Sequence, residues 1–253
     1  MKHKARRAVL GAIAAALLGL TGYCVYRWYQ SDVLPEKLLD EADREQQALL
    51  EQIRPSEQVN NTGNPLASCE AVNDDTVGWI YIPNTNIDLP IVQGEDNDFY
   101  LHNGVNGQYN HELGCPFLDY RCEGDFSGFN SIVYGHHLKK RQMFTDISLF
   151  AQEAFMRNNP DGTLTLPDGK HSVKFFAYLN VHNTAAAYHA VFVTQQEKAE
   201  YLDYIFTEAK YTQNLTREQL DENARLLLLS TCTYEFTNAR GILVGAINPC
   251  NQE

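Results

Sequence analysis

Cysteine, histidine and arginine are the side chains in this sequence whose types and placement could carry a reaction. Cys232 closes an apolar run, Leu226 to Leu229, that continues through Ser230 and Thr231. Such a run reads as a buried strand, so the thiol stands where a strand emerges from a core. A thiol there can act as a nucleophile if a partner helps ionise it, because a free thiol with a pKa of about 8.5 is only slightly ionised at neutral pH. The same position suits an inert structural cysteine, since unpaired Cys is usually buried. Beyond Cys232 the chain turns through Thr233 to Asn238 and returns as ARGILVGAI, a hairpin that would set Arg240 beside Cys232. Far upstream, SIVYGHHLKKRQMF places His136 and His137 after a strand and a glycine bend. Either imidazole could supply a base and an acid near neutral pH. Ser230 and Thr231, next to the thiol, are candidate substrate contacts. No C-x-x-C or His-x-x-x-His spacing offers a zinc site, and neither metal nor cofactor is assigned.

The elements that must position these residues are mostly strands. GWIYI, DLPIVQ, FLDYR, SIVYG, HSVKFFAYLNV, ARLLLLSTC and ARGILVGAI carry strand signals, separated by Asn-Gly, Asp-Gly and Pro turns. Two amphipathic helices are predicted. From Pro35 to Arg54, Leu38, Leu39, Ala42, Leu49, Leu50 and Ile53 recur near one face, with Pro35 at the start. In QQEKAEYLDYIFTEAK, Ala199, Leu202, Ile205, Phe206 and Ala209 recur at three- and four-residue steps, giving a face that must pack on the sheet. A short helix is expected from Pro65 to Val72, after an Asn/Ser/Gly-bearing linker that reaches Gly63. The fold class is mostly β, a barrel or sandwich with helices at the N-terminus and one inserted before the penultimate strand.

Charge and hydropathy set the compartment. The chain has 253 residues, 20 Lys+Arg and 32 Asp+Glu. Residues 1–30 hold five basic side chains and no acid, which leaves 15 basic against 32 acidic for the rest. So acidic a surface excludes phosphate tracking, and no nucleic acid partner is expected. The uncharged run from Ala8 to Tyr26 is 19 residues long, which at about 1.5 Å per residue just spans a hydrocarbon core of roughly 30 Å. Lys2, Lys4, Arg6 and Arg7 before it and Arg27 after it predict a cytoplasmic N-terminus and an extracellular remainder. No small-x-small pair closes the run, which favours an uncleaved anchor over a signal peptide. The expected organisation is a cytoplasmic tip and anchor (1–30), a juxtamembrane helical stalk (31–75) and a catalytic β-domain (76–253). Of six cysteines, Cys24 lies in the span; Cys69, Cys115, Cys122, Cys232 and Cys250 are an odd number, so at least one is free or pairs with another chain. Spacing leaves open whether Cys115 bonds Cys122.

Taken in order, several pieces resemble one family. They are the opening NPLASCEAVNDDTVGWIYIPNTNIDLPIVQGEDNDFYL, then FLDYR, then IVYGHH with MF shortly after, then LLLLSTC followed by NARGILVGAI. The set, covering residues 64–247, is similar to class B sortases, the membrane-anchored cysteine transpeptidases of Gram-positive bacteria. The resemblance implies a sortase β-barrel, Cys232 as nucleophile, His136 as the family histidine because it directly follows Tyr134-Gly135, and Arg240 as the essential arginine. It further implies that a C-terminal sorting signal, often of the Asn-Pro-x-Thr type, is cleaved through a thioester and passed to an amine of a cell-wall precursor or a pilin lysine. Two other functions use the same features: a secreted cysteine peptidase that delivers the thioester to water, and a non-enzymatic surface binding module in which Cys232 is core.

Overall fold

Strands form here where apolar residues alternate or run together between turn residues, and among the described residues nine of them build one sheet. The computed structural model describes residues 2–55, 63–111, 113–138, 141–233 and 235–248, with the side chains of residues 2–5, 8, 9, 12 and 14 outside the description. The linker residues 56–62 and Cys250 therefore lie outside the described residues. The chain divides into two units, Met1–Glu45 and Gln46–Glu253.

The first unit is helical. It holds α1 (Lys2–Trp28), a π-helical turn over Tyr29–Val33, and most of α2 (Leu34–Ile53), which begins one residue before Pro35. Leu10, Leu17, Leu18 and Leu20 of α1 are exposed. Among the described residues no helix is long and apolar enough to cross a membrane. Ala8, Val9, Ala12 and Ala14 of the expected span have side chains outside that description.

In the second unit the strands are β1 (Thr76–Tyr81), β2 (Asp88–Val92), β3 (Phe117–Leu118), β4 (Asn130–Tyr134), β5 (Asp161–Leu166), β6 (Gly169–His182), β7 (Tyr211–Thr212), β8 (Leu226–Cys232) and β9 (Ala239–Ile247). Their order is β5-β1-β2-β3-β4-β8-β9-β6-β7, and a further β5–β6 pairing closes the first eight into a barrel, with β7 paired to β6 at Ala177 and Tyr178, beyond the stretch that β5 takes. Two junctions, β2–β3 and β4–β8, are parallel and the remainder antiparallel. Short helices α3 (Ala67–Glu70), α4 (Phe99–His102) and α5 (Glu153–Asn158) sit in the connections. Helix α6 (Gln195–Glu208) lies between β6 and β7 and packs on β6, with Tyr201, Leu202 and Ile205 buried. The closed barrel, the N-terminal helices and a helix ahead of the penultimate strand are the architecture expected from the sequence.

β8 is apolar on both faces for a reason. Leu226 to Leu229 are fully buried, and the 3-10 segment Thr145–Ala151 packs against β6, β8 and β9. Each such leucine contributes roughly 1.5–3 kcal/mol relative to exposure. FLDYR departs from its reading as a strand: only Phe117 and Leu118 pair, because the Asp119 carboxylate accepts the Arg121 backbone N–H at 3.0 Å and turns the chain.

Candidate functional site

The parallel pairing of β4 with β8 fixes the site. Tyr134 is in register with Ser230, and the Gly135 N–H donates to the Ser230 carbonyl at 3.0 Å. Side chains alternate along a strand, so Cys232 follows Ser230 on one face of β8, and His136, just past the end of β4, lines the same cleft. β8 ends at Cys232, which pairs across the antiparallel hairpin with Arg240; the Thr233 N–H closes the turn on the Ala239 carbonyl at 3.0 Å. Thiol, imidazole and guanidinium line one cleft of about 620 Å³, together with Leu101, Arg121, Tyr134, Tyr188, Ser230 and Thr231. The structure thus brings Cys232, His136, Arg240, Ser230 and Thr231 into one cleft, and leaves the other candidate imidazole, His137, out of it. Cys232 is half-buried, neither sealed in the core nor fully in solvent.

The histidine is held by backbone. His136 Nε2 lies 2.8 Å from the Leu101 carbonyl; a carbonyl only accepts, so Nε2 carries the proton and Nδ1 is left for chemistry. Gly114, at φ +69°, packs under the ring: a Cβ there would come within 2.9 Å of His136 Cδ2 and of the Tyr100 and Leu101 carbonyl oxygens. His137 is separated from its neighbour in environment. It does not line the cleft; burial pushes its pKa below the usual imidazole value, and a hydrogen bond to the Cys232 backbone offsets only part of this.

A second set of side chains forms the cleft wall. Tyr188, on the 3-10 turn Ala186–Tyr188, shares a 2.8 Å hydrogen bond with the Ser230 hydroxyl and stacks on Tyr134 at 6.0 Å. The Tyr134 hydroxyl donates to Asp119 Oδ2 at 2.9 Å, and Arg121 grips the same carboxylate with Nε and Nη2 at 2.8 and 2.7 Å. Burial alone would raise the Asp119 pKa; the hydrogen bonds from Arg121 and Tyr134 outweigh it and hold the carboxyl below its ordinary value. Thr231 Oγ1 is buried with no hydrogen-bond partner among the described residues. Cys69, Cys115 and Cys122 are free and buried, so Cys115 and Cys122 do not bond each other. Burial pushes Cys69 up to about 12 and Cys122 up to about 11. Sequence reasoning gave no role to Asp119, Arg121, Tyr188 or Gly114; the D-x-R spacing inside FLDYR was the one available sign.

A thiol at a strand end, with an imidazole and a guanidinium in the same cleft at the mouth of a closed β-barrel, defines a protein equipped for thiol-dependent acyl transfer. No family model matches the chain. It is 31% identical to the sortase B of Listeria monocytogenes over 182 residues, 71% of each chain, and 23% identical to the sortase B of Staphylococcus aureus over 253 residues, 98% of each. The solved structure of Clostridium perfringens sortase B superposes with a TM-score of 0.67 at 30% identity, covering 72% of this chain and 98% of that one. A Staphylococcus aureus sortase B–substrate complex gives a TM-score of 0.67 at 23% identity, over 85% and 95%. The chain belongs to the sortase B family and is a cysteine transpeptidase.

Proposed function

We propose that this transpeptidase cleaves a C-terminal sorting signal of exported proteins and joins the acyl product to an amine of a cell-wall precursor or a pilin lysine. The observation that carries the reading is the shared cleft of Cys232, His136 and Arg240. Cys232, as thiolate, attacks the carbonyl after the threonine of an Asn-Pro-x-Thr-type motif and expels the downstream amine, leaving a thioester. His136 Nδ1 takes the proton of the Cys232 thiol as the thiolate forms, passes it to that departing amine, and later takes a proton from the incoming amine. Arg240, paired with Cys232 across the hairpin, holds the peptide or the tetrahedral oxyanion, and Ser230 and Thr231 contact the peptide beside the thiol.

The anchor belongs to the same proposal: a cytoplasmic tip and span over 1–30, a stalk over 31–75 and an extracellular catalytic domain over 76–253. It is supported by the uncharged run from Ala8 to Tyr26 with basic residues on its N-terminal side. Signal, acceptor and enzyme held on one membrane would gain effective concentration.

The test is mass spectrometry of the full chain mixed with a library of sorting peptides, with and without an amine acceptor. A thioester on Cys232 that resolves to amide when amine is added is expected. Cys232→Ala abolishes it, and Arg240→Ala slows it by about 10²–10³ if the guanidinium serves the oxyanion. Product that stays acid at every amine concentration makes the chain a peptidase; absence of any adduct refutes the assignment.

A further inference from the structure

The turn that walls the cleft is fastened by side chains at three successive carbonyls. Ala187 O accepts from the Tyr201 hydroxyl at 2.6 Å, Tyr188 O from Arg121 Nη2 at 3.3 Å, and His189 O from Asn130 Nδ2 at 2.8 Å. Tyr201 and Asn130 also bond each other, at 2.9 Å, on the side of the turn covered by α6. Arg121 alone of the three lines the cleft. Its fork is set by Asp119, which is fully buried and accepts from Arg121 Nε, Arg121 Nη2, the Arg121 backbone N–H and the Tyr134 hydroxyl. One carboxylate therefore orients both parts of the wall that reach the reacting end: Arg121, which holds the Tyr188 backbone, and Tyr134, on which the Tyr188 ring stacks. Tyr188 in turn bonds Ser230, two residues before the nucleophile.

We propose that Asp119 is a positioning residue for transpeptidation, clipping the Ala186–Tyr188 turn to the barrel through Arg121 so that the peptide groove keeps its width and the thioester stays shielded from water. Asp119 touches no substrate; it acts through Arg121 and Tyr134. A bidentate Arg–carboxylate pair suits this task because it fixes the guanidinium in direction as well as distance. Releasing the clip leaves Cys232, His136 and Arg240 where they are but lets the wall move. Peptide binding and the partition of the thioester between amine and water should then suffer before the chemical step does. The inference rests on the proposed acyl transfer.

The experiment uses the full chain with an Asn-Pro-x-Thr peptide as donor and hydroxylamine as acceptor, in Asp119→Asn, Arg121→Gln and the double variant. Each single change is expected to raise KM about tenfold and to lower the hydroxamate-to-acid ratio severalfold, with kcat held within about twofold, as expected when an interaction that places substrate is lost. The double variant should be no worse than the worse single, because both remove one clip. Should Asp119→Asn fail to fold, Arg121→Gln carries the test, since that side chain is 39% exposed, and Arg121→Lys should fall between it and wild type. Unchanged KM and ratio overturn the proposal, as does a loss confined to kcat. A wild-type chain that forms no thioester sinks the acyl-transfer reading itself, and the role of Asp119 with it.

Discussion

At the scale of single residues, the site is organised more by backbone than by side-chain partners. His136 is oriented by the Leu101 carbonyl, and the room for that arrangement exists because residue 114 has no Cβ. Gly114 is itself bracketed by Asn110, whose Oδ1 accepts the Gly114 N–H at 2.9 Å and whose Nδ2 donates to the Gly114 carbonyl at 3.1 Å. An alanine would meet the histidine ring and two fixed carbonyls at once, at a φ that L-residues adopt reluctantly. Gly114→Ala is expected to destabilise the fold by about 1–3 kcal/mol and to lower kcat by about tenfold or more, because the displaced carbonyl is the one that sets the imidazole tautomer. Denaturant midpoints and single-turnover acylation measure the two effects. An alanine variant with wild-type acylation would show that Leu101 does not orient the base.

At the scale of elements, the strands that carry chemistry were readable because each combines an apolar run with a polar or bend residue at its end. ARLLLLSTC and ARGILVGAI are β8 and β9 to within two residues, and IVYGHH is β4 with its exit. What failed to read has physical causes. β5, Asp161–Leu166, begins with an Asp-Gly that the sequence presents as a turn, whereas the hairpin to β6 turns at Pro167-Asp168. The polar contact of the helix predicted over Pro35 to Arg54 had no sequence sign: Gln46 accepts from the Asn110 amide at 2.8 Å, while Leu50 and Ile53 of its predicted apolar face are buried. Tyr188 carried no local pattern, since its role arises only when the turn meets Ser230. Helix α6, which was legible, has a capping box: Thr194 Oγ1 accepts the Glu197 N–H at 3.1 Å and the Glu197 carboxylate accepts the Thr194 N–H at 3.0 Å. Thr194→Ala is expected to cost about 1 kcal/mol of stability. Because α6 supplies Tyr201 to the Ala187 carbonyl, the variant should also show faster amide exchange at residues 186–189. Unaltered exchange there would mean that α6 does not steady the wall.

For the whole molecule, the distribution of charge decides how the chain can meet a membrane. Beyond residue 30 it carries 15 basic and 32 acidic side chains, so that part is repelled by anionic lipid. Adhesion by charge is left to the few basic residues at the N-terminus, each worth about 1 kcal/mol at an anionic surface and weakened by salt. Insertion of α1, as the proposed anchor requires, would be insensitive to salt, because it would rest on apolar side chains such as Leu10, Leu17, Leu18 and Leu20, which are exposed in the structure. The two modes therefore separate in one measurement. With vesicles of mixed neutral and anionic lipid, the full chain should stay with the lipid through a wash at high salt and in neutral vesicles alike. Leu17→Arg with Leu18→Arg, each charge costing about 2.5–3.5 kcal/mol near the centre of a span, should release it, while Cys232 still forms its thioester in solution. Release of the unaltered chain by salt would limit α1 to surface contact and remove the anchor from the proposed function, leaving the barrel chemistry untouched.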